Sequence, residues 1–344
     1  MNIQELFGRQ ASVVSPFQYE QGLNLLFSSL GIFDKQSHST NSILLTTAIE
    51  SFMQIAQEKE PYAQSQWDSS KRGTFSNVVY EMKHLATINS VTSRDLEQYS
   101  RNNMSTADSM LLAINDFANQ HYRSHENAVE RDLLRAILTL RVESQFAGQG
   151  DIDLLEGDAK TVAPAIDFTS TTVNPYRALA KIVRQQSNIL GESLAAKRSG
   201  VLVLAAGNAA DGLRYNDMLK DQVVYSSNAQ ASAAVTKIVA DNPAYDAFQL
   251  AQVTVIDVSD FPSIVEQIGE NGLVVIPLFP ADVGAYVLHT GVAVRHAEHG
   301  KDAETHHQYL TQDQFMFPSV CTETAYLPFI QKVVAKAIIF SEAQ

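Results

Sequence analysis

The stretch that decides the fold is 105–147, STADSMLLAINDFANQHYRSHENAVERDLLRAILTLRVESQFA. No glycine or proline falls between Gly73 and Gly148, so neither of the usual helix breakers interrupts it. Ser105 and Asp108 have the spacing of an N-terminal capping box, with Asp where Glu or Gln is usual. Apolar residues recur at helical intervals: Met110, Ile114, Phe117 and Tyr122, then Val129, Leu133, Ile137 and Leu140. The centre, NQHYRSHEN, is polar nearly all round, which predicts exposure or a break there. If continuous, the helix runs roughly 60 Å at 1.5 Å per residue. That exceeds the width of a small domain and suits a strut.

On the N-terminal side, residues 58–104 are polar and extended in character. Residues 76–82 and 85–91 are strand-like around a polar centre and predict a two-stranded excursion. Such a hairpin is marginal alone in water and needs a neighbour to lie on. Residues 1–57 hold two apolar clusters, PFQYEQGLNLLFSSLGIF and SILLTTAIESFMQIA, joined by polar DKQSHSTN. Neither makes its own core, so the segment reads as an arm.

On the C-terminal side, 148–172 predict a hairpin or loop, and 173–300 alternate helices with strands. Helices are expected at 177–196, 210–219 and 232–240, and strands at 200–204, 253–258, 273–277 and 285–294. Residues 301–344 look mixed and end in a β-prone apolar run at 332–340. No repeat with a period of 20–50 residues is visible, against a solenoid or propeller.

The 344 residues suffice for about two domains and a large core. A formal net charge of −13 argues against a chain-wide basic surface for gripping nucleic acid. Only 18% of residues are charged while 45% are hydrophobic, a balance that suits extensive contact with other protein. The single cysteine, Cys321, allows no internal disulfide or all-cysteine metal site. The N-terminal 20 residues lack the pattern of a secretory signal, and no run of 18 apolar residues predicts a membrane span. The expectation is a soluble product made in a cytoplasm.

Several groups invite a chemical reading. Gly207 and Gly212 lie in AAGNAADGLR between a strand and a helix, but Leu213 and Arg214 stand where a phosphate loop needs Lys and Ser or Thr. A plain turn is expected. Five of nine histidines fall at His289, His296, His299, His306 and His307. His296-Ala-Glu298-His299 does not match the H-E-x-x-H zinc pattern, and solvated loop histidines are expected. Asp151, Asp153, Glu156 and Asp158 form an acidic run, but Leu155 and the late Gly157 spoil a calcium loop. Cys321, in FPSVCTET, lacks a protease signature and reads as a buried structural thiol. No G-x-S-x-G elbow occurs. No catalytic, cofactor-binding or metal residue is therefore expected.

The order of elements resembles the major capsid proteins of tailed phages, and within them the lambda-type capsid E family. LNLLFSSLGIFDKQSHSTNSILLTT is similar to that family's N-terminal block, and YEMKHLATINSVTSRDLE to the return strand of its excursion. RDLLRAILTLRVESQFAGQG followed by Ile166–Phe168 resembles its helix, glycine-bounded hairpin and short strand. RSGVLVLAAGNAADGLRYND resembles its strand and helix, and LPFIQKVVAKAII its closing strand. The His-rich KDAETHHQYLTQ departs from the plain connector expected there.

The resemblance implies an α+β chain with the tailed-phage and herpesvirus-type major capsid fold. Residues 1–57 would form the N-terminal arm, 58–104 the E-loop and 105–172 the peripheral domain with its spine helix. Residues 173–300 would form the α/β axial domain, and 301–344 strands returning to the peripheral domain. The function implied is self-assembly, through hexamers and pentamers, into an icosahedral virion shell around double-stranded DNA, bound without sequence specificity. The similarity begins near Gln18, leaving no room for a long scaffolding extension, so a separate scaffolding protein and a portal are expected partners. A cement protein would be a further partner, and no membrane or cofactor is implied. Two alternatives compete: an encapsulin-like nanocompartment shell, and an α/β enzyme with a helical N-terminal domain.

Overall fold

The structure is a computed structural model. It describes residues 25–49, 74–100, 106–143, 151–167, 174–215, 246–250, 253–295, 305–312 and 317–342. The described chain opens with helix α1 (Leu26–Leu30), which stops at Gly31 in the left-handed conformation, φ 61°. Strands β1 (Asp34–Ser37) and β2 (Ser42–Ile49) follow, then β3 (Thr74–Glu81) and β4 (Lys83–Ser90). Helix α2 (Ser93–Ser100) precedes the long helix α3 (Thr106–Leu138). Short strands β5 (Arg141–Val142), β6 (Ile152–Asp153) and β7 (Thr161–Val162) come next. Then come α4 (Pro175–Lys197), β8 (Gly200–Ala205), α5 (Asn208–Tyr215), β9 (Asp246–Leu250), β10 (Val253–Asp257), α6 (Pro262–Ile268) and β11 (Gly272–Leu278). The chain continues through β12 (Tyr286–Thr290), β13 (His307–Gln312) and β14 (Pro318–Ile330). It closes with α7 (Lys332–Lys336) and β15 (Ile339–Glu342).

Helix α3 is unbroken over 33 residues, so it spans about 50 Å. The helix does not break at NQHYRSHEN, and its exposure there is one-sided: Gln120, Arg123, Ser124 and Asn127 are exposed, while His121, His125 and Glu126 are buried on the face that meets a sheet. That sheet is built on β14, the longest strand. Thr322 pairs with Thr87 of β4 and with Gln308 of β13, so β4 and β13 flank β14 on opposite edges. Further along, Tyr326 pairs with Lys83 of β4 and Thr290 of β12, and β1 lies parallel to β12. Part of the expected arm is thus built into this sheet.

The second sheet has the order β7-β15-β11-β8-β10-β9, and only the β7–β15 and β8–β10 pairs are parallel. Its central strands read as continuous apolar runs because both faces are covered. Val201, Val203 and Val275 face Leu179 and Ile182 of α4, while Leu202, Leu204 and Ile276 share the main core with Ile137 and Leu138 of α3. The alternation expected over 173–300 is present at β8, α5, β10 and β11. Helix α4 has one non-helical residue, Gly191 at φ 73°, which kinks it. The helix expected at 232–240 lies outside the described residues.

Three expectations need correction. Strands β3 and β4 do not pair with each other. β3 runs antiparallel to β2 from Thr74↔Ile49 to Glu81↔Ser42, whereas β4 joins β14. Only Met82 separates β3 from β4, and it is buried in the main core, too short a link for a hairpin. Second, of the hairpin or loop expected over 148–172, the loop describes 151–167 better: β6 pairs antiparallel with β5, before that stretch, and β7 joins β15, so β6 and β7 do not pair with each other. Third, the run 332–340 is not one strand: α7 occupies Lys332–Lys336, with Val334 and Ala335 turned into the core, before β15 begins.

Candidate functional site

Most of the chemically suggestive groups from the sequence lie among the described residues, and most of those are used up internally. At the turn after β8, the Gly207 amide donates to Ser259 Oγ (2.9 Å) and the Asn208 amide to Asn271 Oδ1 (3.1 Å). Gly207 sits at φ 50°, and the Glu270 carbonyl lies where its Cβ would be. The amides that would cradle a phosphate are occupied, and a neighbouring backbone closes the space.

The acidic run is an ion-paired turn. Asp153 accepts from the Leu155 and Gly157 amides (3.0 and 2.9 Å). Glu156 and Asp158 receive Lys332 at 2.8 and 3.4 Å, Asp158 also receives Lys336 at 2.6 Å, and Asp151 receives Arg135 at 3.1 Å. Cys321 is buried beside Thr311 Oγ1 (3.4 Å), and burial pushes its thiol up, away from the reactive thiolate. Among the described residues no three His, Cys, Asp or Glu side chains converge as a metal ligand set. Nor is any described helix long and apolar enough to cross a membrane.

The histidines differ most from expectation. His289, His306 and His307 are not solvated loop residues. His289 and His307 are buried, and the His306 side chain is only 9% exposed. His296 and His299 lie outside the described residues. His289 Nδ1 meets Nε2 of His38, just past β1, at 2.8 Å, and burial, then His38, pushes His289 down to about 4.

A polar seam joins α3 to the helix-facing side of β14. His121 Nδ1 lies 3.2 Å from Thr322 Oγ1, and His125 Nδ1 lies 2.8 Å from Thr324 Oγ1. Thr324 Oγ1 also meets His306 Nδ1 (2.8 Å), while His306 Nε2 donates to Glu126. Further along, Asp132 accepts from the Tyr326 hydroxyl (2.6 Å) and Lys83 Nζ (2.8 Å). Sequence reasoning misses these residues because their partners are distant in the chain. The one available signal is the Thr322-x-Thr324-x-Tyr326 alternation, opposite a polar stripe at helical spacing.

On the other face of β14, buried Glu323 accepts from His84 Nε2 (2.8 Å), the Tyr309 hydroxyl, and the amides of Val294 and Arg295 (2.9 and 3.2 Å). Burial alone would push this carboxyl up, but the converging donors hold it below the usual range. It fastens the chain that leaves β12.

No assembled nucleophile, base and cleft emerges from these groups. What the fold does present is extended surface. Ribbon β2–β3 is anchored at its base, where the Met82 amide donates to the Asn41 carbonyl (2.8 Å) and Ile43 is buried. Beyond the base the two strands pair chiefly with each other, and Val79 is 56% exposed. Helix α3 carries an outward stripe of exposed residues, Leu112, Asp116, Gln120, Ser124, Asn127 and Arg131.

No family model matches the chain, and no curated protein matches it. Solved structures do. A protein assigned as the capsid protein of a prophage in Escherichia coli CFT073 superposes with TM-score 0.56 at 11% identity, covering 100% of this chain and 99% of its own. The mature capsid of bacteriophage PhiM1 gives TM-score 0.50 at 12% identity, covering 98% of this chain and 91% of its own. The chain therefore has the fold of phage capsid proteins, an α+β architecture.

Proposed function

We propose that this chain is the major capsid protein of a tailed phage, a non-enzymatic subunit that self-assembles into an icosahedral shell around double-stranded DNA. The observation that carries the reading is the β2–β3 ribbon, with eight paired positions and little support of its own, within a fold shared along its whole length with a prophage capsid protein. A lone two-stranded ribbon is marginal in water. Laid over the outward stripe of a neighbour's α3, it covers surface on both subunits.

In this reading the excursion is centred on Ser42–Glu81 rather than 58–104, and α3 is the spine of the peripheral domain. The six-stranded sheet is the core of the axial domain. Obligate interfaces commonly bury more than about 2,000 Å². An arm and an excursion clasping several neighbours reach that together, and closure of the shell adds avidity. The net charge of −13 fits a lining that does not grip the genome by counterion release. A separate scaffolding protein and a portal complete the assembly, and the mature location is the virion.

The test removes residues 45–78 and bridges the gap with a two-residue Asn-Gly turn, keeping Ile43, Tyr80 and Met82. The expected product is a soluble, folded subunit that forms no shells in negative-stain images, while the intact chain forms rings or particles. Normal shells from the shortened chain would overturn the reading. So would an intact chain that elutes only as a small oligomer under every assembly condition.

A further inference from the structure

The seam between α3 and β14 contains a continuous hydrogen-bonded path through five side chains. Thr87 Oγ1 lies 2.9 Å from His125 Nε2, and His125 Nδ1 lies 2.8 Å from Thr324 Oγ1. Thr324 Oγ1 lies 2.8 Å from His306 Nδ1, and His306 Nε2 meets Glu126. The path crosses strand β4, helix α3, strand β14 and the segment leading into β13. We propose that these five residues form a one-proton relay that holds the long helix on the sheet at neutral pH and loosens it in acid. The relay belongs to the subunit and does not depend on shell assembly.

Donor counting fixes the argument. An ionised Glu126 only accepts, so His306 Nε2 must donate. With His306 neutral, its Nδ1 accepts from the Thr324 hydroxyl. Thr324 Oγ1 then accepts from His125 Nδ1–H, and His125 Nε2 accepts from the Thr87 hydroxyl. Every group is satisfied. One added proton on His306 reverses the path: His306 Nδ1–H donates to Thr324, Thr324 to His125 Nδ1, and His125 Nε2–H to Thr87. Each contact along the path again pairs one donor with one acceptor, and the charge sits against Glu126.

A second proton has no such arrangement. Both imidazoles would then donate to Thr324 Oγ1, filling its two lone pairs and leaving its own hydroxyl proton without an acceptor in the path, and two cations would face each other with ring centroids 6.3 Å apart. The surroundings offer little relief. His121 lies one helical turn before His125, the charge of His84 acts on it across the sheet, the Tyr122 ring packs on His306 at 4.8 Å, and Glu126 is the only acidic group in the path. Burial, then His306, His121 and His84, pushes His125 down to about 4, against the pull of Glu126.

The unfolded chain takes up this proton near the ordinary 6.5, and the folded chain refuses it until about 4. The stability contributed by neutral His125 is therefore complete above that upper value and is lost as pH falls through the window. Within the window, the folded-to-unfolded ratio drops by up to about tenfold per pH unit from this one group.

The test follows histidine C2-hydrogen exchange by mass spectrometry on the full chain, with amide exchange over α3 corrected for its intrinsic pH dependence. His125 is expected to titrate more than about one pH unit below free histidine. Amide protection over the middle of α3 is expected to fall with acid below about pH 6.5. In His125→Gln, which keeps one donor and one acceptor, that fall should shrink by about tenfold per pH unit. An ordinary His125 midpoint, or a His125→Gln chain with the wild-type pH profile, would overturn the proposal. If His125→Gln fails to fold, the wild-type His125 midpoint decides alone.

Discussion

Removing the Glu130 carboxylate gives a quantitative test of how the first described segment is held on the long helix. Glu130 is buried on α3 and accepts from the amides of Phe27 (2.6 Å) and Ser28 (3.0 Å) and from Ser28 Oγ (2.7 Å). These are the donors left free at the start of α1. In Glu130→Ala the Phe27 amide stays buried without a partner, at about 1–3 kcal/mol. The Ser28 groups are part-buried and can turn to water, losing about 0.5–1.5 kcal/mol each.

Part of this is returned. Burial pushes the Glu130 carboxyl up despite its three bonds, so its ionised form costs stability as pH rises through the folded value. The net loss is about 2–4 kcal/mol. Detaching α1 altogether would also expose Leu26 and Phe27, 2% and 1% exposed, at about 1.5–3 kcal/mol each. The segment should therefore stay docked in Glu130→Ala but open more often. Urea denaturation of the soluble chain should show the loss, and amide protection at 26–29 should fall by about 30- to 1000-fold. Glu130→Gln keeps one acceptor and one donor and should cost less than half as much. A Glu130→Ala chain within about 0.5 kcal/mol of wild type would refute the reasoning.

Two further substitutions probe the seam and the ribbon base. Lys83→Met leaves buried Asp132 with the Tyr326 hydroxyl and the exposed Arg131 guanidinium at 3.5 Å but removes its charged hydrogen-bond donor, and should cost about 1.5–3 kcal/mol in denaturant titrations. Gly291→Ala would press its methyl group on Asn41 Oδ1, the acceptor of the Val292 amide, and on Met82 Sδ. It should lower stability by about 1–3 kcal/mol and raise proteolytic nicking between β2 and β3.

Some elements are plain in the amino-acid order and others are hidden for identifiable reasons. The ends of α3 are legible because Met110, Ile114, Leu133 and Ile137 keep a helical apolar period. Its middle misleads because the buried face there is polar. A buried His125 looks like an exposed one until Thr324, some 200 residues later, is seen to satisfy it. Strand character is legible at β3 and β4, but alternation carries no information about partners, so two strands adjacent in the chain suggest a pairing that does not form. The 332–340 run contains Val333, Val334 and three isoleucine or phenylalanine positions, whose β preference masks the short helix that tertiary packing imposes at α7. The candidate chemistry fails for a local reason at Gly207, where Ser259 and Asn271 already hold the amides.

Strand β15 has a bearing on how the molecule is made. It is wedged between β11 and β7, and its parallel mate at Thr161–Val162 was synthesised about 180 residues earlier. While translation proceeds, the bare flank of β11 waits for a strand that does not yet exist. An unmated flank recruits whatever extended peptide is nearby, including nascent copies on adjacent ribosomes. Crowded synthesis of many copies is thus the moment of greatest hazard, and chaperone demand should peak before Ile339 leaves the exit tunnel rather than after.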